Sequence, residues 1–352
     1  MPLAELTLEN LRCIERAELA FAPGTNLIHG PNASGKTSLL EGIYLLGRGR
    51  SFRTRNSERL IRHEAQILRA AGRTCAPFSQ SIRVQVIHQE PTAAEVAGQP
   101  VRSLAELAQV FPVQAIEPGI HRLIEEGSPR RRRWLDWAVF HVEPQFVDTW
   151  QRYARVVRQR NAALRTHPEM ARAWDAELVR HGEAITASRV RLLQTLKPYW
   201  DETVRELAGL SAELRYTPGW SQDLTLSEAL SSAWVRDSKH GLSHAGPHRA
   251  DVQVRIGGRA AREILSRGQQ KLVATAMVLA QLQMLRERTD LAPTLLLDDP
   301  AAELDVDRLR QFVGQVRALQ CQLILTSLNG AHALLGPPER VFHVEQGKVK
   351  LT

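Results

Sequence analysis

The sequence predicts an α/β fold in which one lobe is interrupted along the chain by an inserted, mainly helical lobe. Three observations predict it. Residues 1–102 contain short runs of alternating apolar and polar positions, typical of β-strands, and a glycine-rich turn. Residues 103–239 are dominated by long amphipathic segments rich in Arg, Ala, Leu and Glu. Residues 240–352 return to strand-like runs, so we assign them with residues 1–102 to a discontinuous α/β lobe.

The individual elements follow the chain in order. Alternating positions in the first thirty residues predict three strands, the third at residues 26–29. A glycine-rich turn follows, and a helix begins near Lys36. Strand-like runs then return at four places, which are residues 82–86, 250–256, 294–297 and 322–325. A helix beginning near Gln269 separates the second and third of these runs.

The composition is that of a globular chain with a basic surplus. The 352 residues include 46 Lys and Arg against 38 Asp and Glu, which gives a formal net charge of +8. Such a surplus favours polyanionic partners, although any single arginine cluster is equally compatible with a solvated surface. No run approaches about 18 consecutive apolar residues, so we expect no membrane span.

Two features predict a cytoplasmic location. The first residues, MPLAELTLEN, lack the basic and apolar regions of a secretory signal peptide. Cys13, Cys75 and Cys321 are odd in number and form no CxxC pair. We therefore expect reduced thiols and neither a disulfide framework nor a zinc site.

The segment GPNASGKT, at residues 30–37, satisfies the phosphate-loop pattern GxxxxGK[ST] between a predicted strand and a predicted helix. Its glycines let backbone N–H groups point at phosphate oxygens, and the helix N-terminus adds partial positive charge. Lys36 can reach the β- and γ-phosphates, and the Thr37 hydroxyl can bind Mg²⁺. The predicted nucleotide-binding residues are Gly30, Pro31, Asn32, Ala33, Ser34, Gly35, Lys36, Thr37 and Ser38.

A second motif is an apolar strand that ends in two carboxylates, LLLDD at residues 295–299. The carboxyl end of such a strand lies beside the phosphate loop in nucleotide-binding sheets. Asp298 is the predicted Mg²⁺ ligand, and Asp299 is predicted to face the γ-phosphate and polarise the attacking water.

A third motif, LSRGQQK at residues 265–271, resembles the LSGGQ-type signature of ABC-type ATPases. In that family the signature of one subunit closes over the nucleotide bound to the other. The resemblance implies that Ser266, Gly268 and Gln269 contact ATP in trans, with Ser266 acting in catalysis. The stretch DDPAAELD also aligns with the DEPTSALD pattern of these ATPases, which makes Asp305 the aspartate of the D-loop.

Several motifs together identify the chain as similar to the RecF family, and they occur in the order found in that family. They are LENLRCIERAELAF, GPNASGKTSLLEGIYLLGRGRSFRT, EEGSPRRRRWLDW, GPHRAD and LSRGQQK. The resemblance implies an ABC-type P-loop ATPase head with a mixed sheet and an inserted helical lobe, related to SMC and Rad50 heads but without their coiled coil.

The resemblance also implies a function. RecF-family proteins bind ATP with Mg²⁺, dimerise around two nucleotides, and bind duplex DNA near single-strand gaps and junctions. Hydrolysis releases them. They act with RecR, and in the pathway with RecO, to help load RecA in recombinational repair and replication. The Q-loop glutamine, which links the metal site to the helical lobe, is assigned to Gln114.

The predicted activity is a weak, DNA-stimulated ATPase, and three departures from the ABC pattern favour slow hydrolysis. Asp299 stands where transport ATPases carry Glu, Ala302 replaces the usual D-loop Ser, and no switch His follows residues 323–325. A hydroxyl from Thr326 or Ser327 would stand in for that His, and a hydroxyl is a weak base. We therefore expect ATP hydrolysis to act as a timer.

Two arginine clusters are candidate contacts for DNA phosphates, and both could instead form internal ion pairs. They comprise Arg48, Arg50, Arg53, Arg55, Arg130, Arg131, Arg132 and Arg133. Phosphate contacts confer affinity without sequence preference. The main alternative is the nucleotide-binding subunit of an ABC transporter, which shares the nucleotide motifs but lacks an arginine-rich insertion and the GPHRAD block.

Overall fold

The computed structural model describes residues 2–76, 79–289, 291–300, 306–328 and 336–352. The chain forms two compact units, Met1–Ile120 with Thr289–Thr352, and His121–Arg288. These divisions differ from the predicted ones near residues 102 and 240. The strand Val113–Ile116 pairs inside a sheet of the first unit, and residues 240–288 pack within the second.

The strands are numbered in chain order, β1–β8 and β12–β15 in the first unit and β9–β11 in the second. Their bounds are β1 (Leu3–Leu11), β2 (Ile14–Ala20), β3 (Thr25–His29), β4 (Ile67–Thr74), β5 (Ser81–Ile87), β6 (Ala93–Val96), β7 (Gln99–Pro100), β8 (Val113–Ile116), β9 (Glu213–Thr217), β10 (Asp251–Ile256), β11 (Arg259–Ala260), β12 (Thr294–Leu297), β13 (Gln322–Ser327), β14 (Arg340–Glu345) and β15 (Lys348–Leu351).

The helices α1, α2 and α10 belong to the first unit and α3–α9 to the second. Their bounds are α1 (Lys36–Arg48), α2 (Ala105–Val110), α3 (Arg122–Glu125), α4 (Ser128–Val142), α5 (Phe146–Thr166), α6 (Asp175–Ala208), α7 (Leu226–His240), α8 (Ala261–Ile264), α9 (Arg267–Arg288) and α10 (Val306–Ala318). Within the part of the chain that is described, none of these helices is both long and apolar enough to span a bilayer.

The first unit contains two six-stranded sheets. One is antiparallel, in the order β2-β1-β4-β5-β6-β7. The other is mixed, in the order β15-β14-β3-β13-β12-β8, with only β15 antiparallel to its neighbour. The central strands of the mixed sheet are apolar because both of its faces are covered, and β12 is buried at every position.

Helix α1 lies in the core shared by these two sheets. Its Leu39 and Ile43 are fully buried in one cluster with Leu8 of the antiparallel sheet and Ile324 of the mixed sheet. Gly42 permits the close approach, because a Cβ there would lie 2.7 Å from a Leu8 methyl carbon. The phosphate-loop helix is therefore packed between two sheets.

The second unit packs its helices around a short antiparallel sheet, β11-β10-β9. Helix α9 is buried over most of its length. Trp134 of α4 forms two hydrogen bonds with this helix. Its indole N–H donates to the Met277 carbonyl at 3.2 Å, and the Gln281 amide donates to the Trp134 carbonyl at 2.9 Å.

A buried charge network also joins helices of the second unit. The guanidinium of Arg160 on α5 is fully buried and donates to Asp175 and to the fully buried Asp237, each at 2.8 Å. The same guanidinium donates to the Ser243 hydroxyl at 2.8 Å. Asp237 also accepts from the backbone N–H of His244 at 3.0 Å. Helices α5 and α7 thus share one ionic centre.

Candidate functional site

The phosphate loop connects β3 to α1 and curls as its motif requires. Gly30 and Gly35 have φ angles of 149° and 115°, which are unfavourable for any residue with a side chain. Gly30 has a second constraint, because a Cβ on it would lie 2.1 Å from the carbonyl oxygen of Val344. The loop conformation therefore depends on both glycines.

The Lys36 side chain folds back over this loop. Its ammonium donates to the carbonyl oxygens of Gly30 at 2.7 Å and Pro31 at 2.8 Å. Burial lowers the pKa of Lys36, and the carboxylates of Asp299 and Asp298 oppose that effect. Both acids of the LLLDD motif are thus electrostatically coupled to the phosphate-loop lysine.

Hydroxyls and carboxylates meet at the carboxyl edge of the mixed sheet. The Thr37 hydroxyl lies 2.9 Å from both carboxylate oxygens of Asp298. The Thr326 hydroxyl, from the end of β13, donates to Asp298 at 2.8 Å and accepts from the backbone N–H of Asp299 at 2.9 Å. Asp299 has a φ of 47°. The hydroxyl of Thr326 therefore fixes the turn that carries both acids.

The structure does not bring Gln114 to this edge. Gln114 pairs with Leu295 in β12, three residues before Asp298 and therefore roughly 10 Å back along the strand. The backbone N–H of Asp298 donates to the Ile116 carbonyl at 3.0 Å, and Leu297 pairs with Ile116, which places Glu117 beside Asp298. Glu117 is buried. Sequence reasoning missed this residue, because the register of β8 against β12 leaves no local signal.

The hairpin formed by β14 and β15 braces the phosphate loop from outside. The backbone N–H of Gly347, in the turn of this hairpin, donates to the Ser34 carbonyl at 2.8 Å. Val344 of the same hairpin supplies the carbonyl that approaches Gly30. The last strands of the chain thus position the loop without belonging to its motif.

Replacing Gly347 with Ala should displace the phosphate loop. A Cβ at Gly347 would lie 2.2 Å from the Cys13 carbonyl oxygen, so the turn must move away from Ser34. We expect ATP affinity to fall roughly 10-fold, the equivalent of one hydrogen bond to a charged group. Isothermal titration calorimetry with ATP measures the change.

Gly98 provides a matched control for this variant. Its φ of 77° is nearly that of Gly347, 76°, but no atom lies within 4 Å of its Cβ position. Gly98→Ala therefore introduces the same backbone strain without a collision. Equal ATP affinities for the two variants would contradict a bracing role for the hairpin.

The signature segment lies at the N-terminus of α9 in the second unit. The Ser266 hydroxyl accepts from the Gln269 N–H at 3.4 Å, and the Gln269 side chain accepts from the Ser266 N–H at 3.0 Å, a reciprocal capping box. Ser266, Gly268 and Gln269 are all exposed, and nothing lies within 4 Å of a Cβ built on Gly268. Asp305 and Ala302 lie outside the described residues.

Known proteins show what this chain is similar to. A family model described as RecF/RecN/SMC N terminal domain matches residues 2–350. A DNA replication and repair protein RecF from Pseudomonas aeruginosa (strain LESB58) is 37% identical over 362 residues, covering 100% of this chain and 98% of the relative. A protein of the same name from Shewanella baltica (strain OS223) is 36% identical over 356 residues, with 99% of each chain covered. The chain belongs to the RecF family.

Solved structures agree with RecF-family membership. The recombination mediator protein RecF-ATP of the RecFOR pathway superimposes with a TM-score of 0.89 at 26% identity, covering 100% of this chain and 97% of the other. An Smc head bound to the C-winged helix domain of ScpA gives a TM-score of 0.58 at 15% identity, covering 100% and 97%, which shows a common fold alone. The predicted ABC-type ATPase fold with a mixed sheet is confirmed.

In this RecF-family chain the first arginine cluster is only partly exposed. Arg48 lies over the Tyr44 ring, 5.5 Å from its centroid, and donates to the Tyr44 hydroxyl at 3.2 Å. Arg53 lies 3.5 Å from the carboxylate of Glu41, which is fully buried on α1. Arg50 is half-buried and Arg55 is exposed.

The second cluster mainly forms internal contacts. Arg131 is buried and makes a two-pronged ion pair with Asp251, at 2.8 and 3.0 Å. Arg132 donates to the Ala250 carbonyl at 2.5 Å, and Arg130 pairs with Glu126 at 3.1 Å. The prediction that Arg131 contacts DNA is wrong, because protein acceptors enclose its guanidinium. None of Arg130–Arg133 is fully exposed.

Proposed function

We propose that this RecF-family protein binds Mg²⁺-ATP at the phosphate loop and uses it to control binding to duplex DNA. The arrangement of Thr37 and Asp298, 2.9 Å apart beside Lys36, supports this most directly. Hydroxyl and carboxylate oxygens are the donors that Mg²⁺ prefers. Ser34 adds a buried hydroxyl without a partner among the described residues, as a loop built around ligand oxygens requires.

Each residue of this site has a distinct task. Lys36 neutralises phosphate charge, and Thr37 and Asp298 hold Mg²⁺, which supplies charge neutralisation on the phosphates. Asp299 orients the attacking water and accepts its proton. Glu117 lies beside Asp298. It is therefore a better candidate than Gln114 for the residue that links the metal site to the helical lobe.

Slow hydrolysis is favoured by the hydrogen bonds of Thr326. Its hydroxyl already donates to Asp298 and accepts from the Asp299 N–H, so it has no second proton for a γ-phosphate. Asp299 is also one methylene shorter than the Glu of transport ATPases. Weak ATP turnover follows, and we propose that duplex DNA stimulates it and that hydrolysis times release.

The signature acts in trans in the proposed dimer. Ser266, Gly268 and Gln269 cap α9 while remaining exposed to solvent, which leaves the N-terminus of a 22-residue helix open to an anion. Two subunits would then enclose two ATP molecules, each contacted by the phosphate loop of one subunit and the signature of the other. Loss of the γ-phosphate would weaken this closure.

The biological role follows from the relatives. Similar proteins are named DNA replication and repair protein RecF, and a similar structure is described as a recombination mediator of the RecFOR pathway. We propose that the ATP-bound dimer clamps duplex DNA near single-strand gaps in the cytoplasm and, with RecR and RecO, helps load RecA. These relatives favour that role over a transporter subunit.

Fluorescence anisotropy of a labelled duplex tests the proposed function. We expect tight binding with ATP and at least roughly 10-fold weaker binding with ADP or without nucleotide, because only ATP links the two subunits through its γ-phosphate. ATP turnover measured in the same mixtures should be slow and should rise when duplex is added. Affinity that is equal under all three nucleotide conditions would contradict the proposal.

A further inference from the structure

Helix α5 of the second unit has two different faces. One face is buried and carries Phe146, Tyr153, Val156, Arg160 and Leu164. The opposite face is exposed and carries four arginines. We define these as the α5 arginine face, which consists of Arg152, Arg155, Arg158 and Arg165.

The spacing places these side chains on one side of the helix. Arg152, Arg155 and Arg158 follow one another at three-residue intervals, and Arg165 comes two turns later. With a rise of about 1.5 Å per residue, the face extends over about 20 Å. The helix contains five Arg and a single acidic residue, Asp148, in its first turn.

Internal partners distinguish this face from the other arginine clusters. Throughout the described residues, none of its four guanidinium groups forms an ion pair or a hydrogen bond, whereas Arg160 of the same helix forms ion pairs with Asp175 and Asp237. Like charges three or four residues apart destabilise a helix, so the arrangement does not serve the stability of α5.

The field beside the face is positive. His181, on the neighbouring helix α6, has its pKa lowered first by burial and then by Arg180, while Glu177 raises it. Arg152 of the α5 arginine face also lowers this pKa. One acid therefore opposes two arginines at this point, and the face retains its positive charge.

We propose that the α5 arginine face binds the phosphate backbone of duplex DNA. Duplex DNA carries one charge per about 1.7 Å of its axis, so a face of about 20 Å can contact several phosphates. The exposed side also holds Gln151 and Gln159, whose side-chain amides can donate to phosphate oxygens. It has no aromatic residue on which unpaired bases could stack, which favours duplex over single-stranded DNA.

This proposal rests on the proposed function, because it names the surface that the DNA-bound state uses. It also assigns DNA binding by the second unit to the α5 arginine face and not to Arg130–Arg133. Arg131 is held by Asp251 inside the protein, whereas the α5 arginine face is exposed and without internal partners. The guanidinium groups available to DNA thus lie on α5, further along the chain than Arg131.

The salt dependence of duplex binding tests the α5 arginine face. A triple variant carries Arg152→Gln, Arg155→Gln and Arg158→Gln, and its affinity is measured by anisotropy with ATP at several salt concentrations. Each phosphate contact contributes about 0.9 to the magnitude of the negative slope of log K against log salt. Loss of three contacts should therefore make the slope shallower by about 2.7. The affinity at moderate salt should fall at least roughly 10-fold.

A second triple variant is the matched control. Arg205→Gln, Arg215→Gln and Arg236→Gln remove the same charge from exposed positions of the same unit, and the slope should not change. Replacement of the three α5 residues by Lys should preserve the slope, because phosphate neutralisation needs charge alone. The melting temperature followed by Trp fluorescence should be the same in all variants, which shows that their second unit is folded.

The outcomes separate the two proposals. If the wild-type protein binds duplex equally with and without ATP, the proposed function fails. If wild-type binding requires ATP but both Gln triples show the wild-type slope, only the α5 arginine face is overturned. If the α5 Gln triple loses binding to poly-glutamate while its duplex binding is unchanged, the proposal is also overturned. The face would then bind an acidic protein.

Discussion

Lys36→Ala should reduce ATP affinity roughly 100-fold. In the structure the Lys36 ammonium sits within the phosphate loop, bonded to the carbonyls of Gly30 and Pro31 and coupled to Asp299 and Asp298. Its loss removes charge-assisted hydrogen bonds to two phosphates, a change of about 3 kcal/mol. Calorimetric titration with ATP measures the effect, and ATP-dependent duplex binding should disappear with it.

Lys350→Ala is the control for this substitution. Lys350 lies exposed on β15 of the same unit, so its replacement removes an equal charge from outside the phosphate-loop motif. Its ATP affinity should equal that of the wild-type protein. If Lys36→Ala also binds ATP normally, the phosphate loop does not bind the nucleotide as proposed.

Arg160→Met should strongly destabilise the second unit. The substitution leaves the fully buried carboxylate of Asp237 without its arginine partner, and Asp175 loses its ion pair as well. Removing one member of a buried pair costs about 3–5 kcal/mol. We expect the melting temperature of this unit to fall by roughly 10 °C.

Tryptophan fluorescence isolates the unit in which this change occurs. All 7 Trp residues of the chain lie between residues 121 and 288, so their emission reports the unfolding of the second unit alone. Arg158→Met, two residues away on the exposed side of α5, is the matched control and should leave the melting temperature within about 2 °C of wild type. Equal shifts in the two variants would show that the buried ion pairs contribute no stability.

The phosphate site could be predicted well because its parts are local motifs at strand ends. Lys36 and Thr37 follow β3, and Asp298 follows β12, and both strands end at the same edge of one sheet. A parallel sheet brings such residues together whatever lies between them in the chain. The family resemblance extended the prediction to the whole ABC-type fold, which the relatives confirm.

The arginine contacts could not be predicted because their partners are distant in sequence. Asp251 is separated from Arg131 by 120 residues, and nothing in the segment RRRR distinguishes the arginine that it binds. On α1, the buried Glu41 similarly binds Arg12 at 3.0 Å and Arg53 at 3.5 Å, residues on either side of it in the chain. Pairing of this kind depends on tertiary packing, and the periodicity of the sequence gives no information about it.

The parallel pairing of β8 with β12 has a consequence for engineering the chain. Parallel neighbours cannot be joined by a tight turn, because the connection must return from the carboxyl end of one strand to the amino end of the next. Here the whole of His121–Arg288 serves as that return path. A minimal version of the ATP-binding unit therefore needs a replacement connection of about a dozen or more residues, such as a single designed helix. A glycine-rich loop of four or five residues would leave β12 out of register and Asp298 out of reach of Thr37.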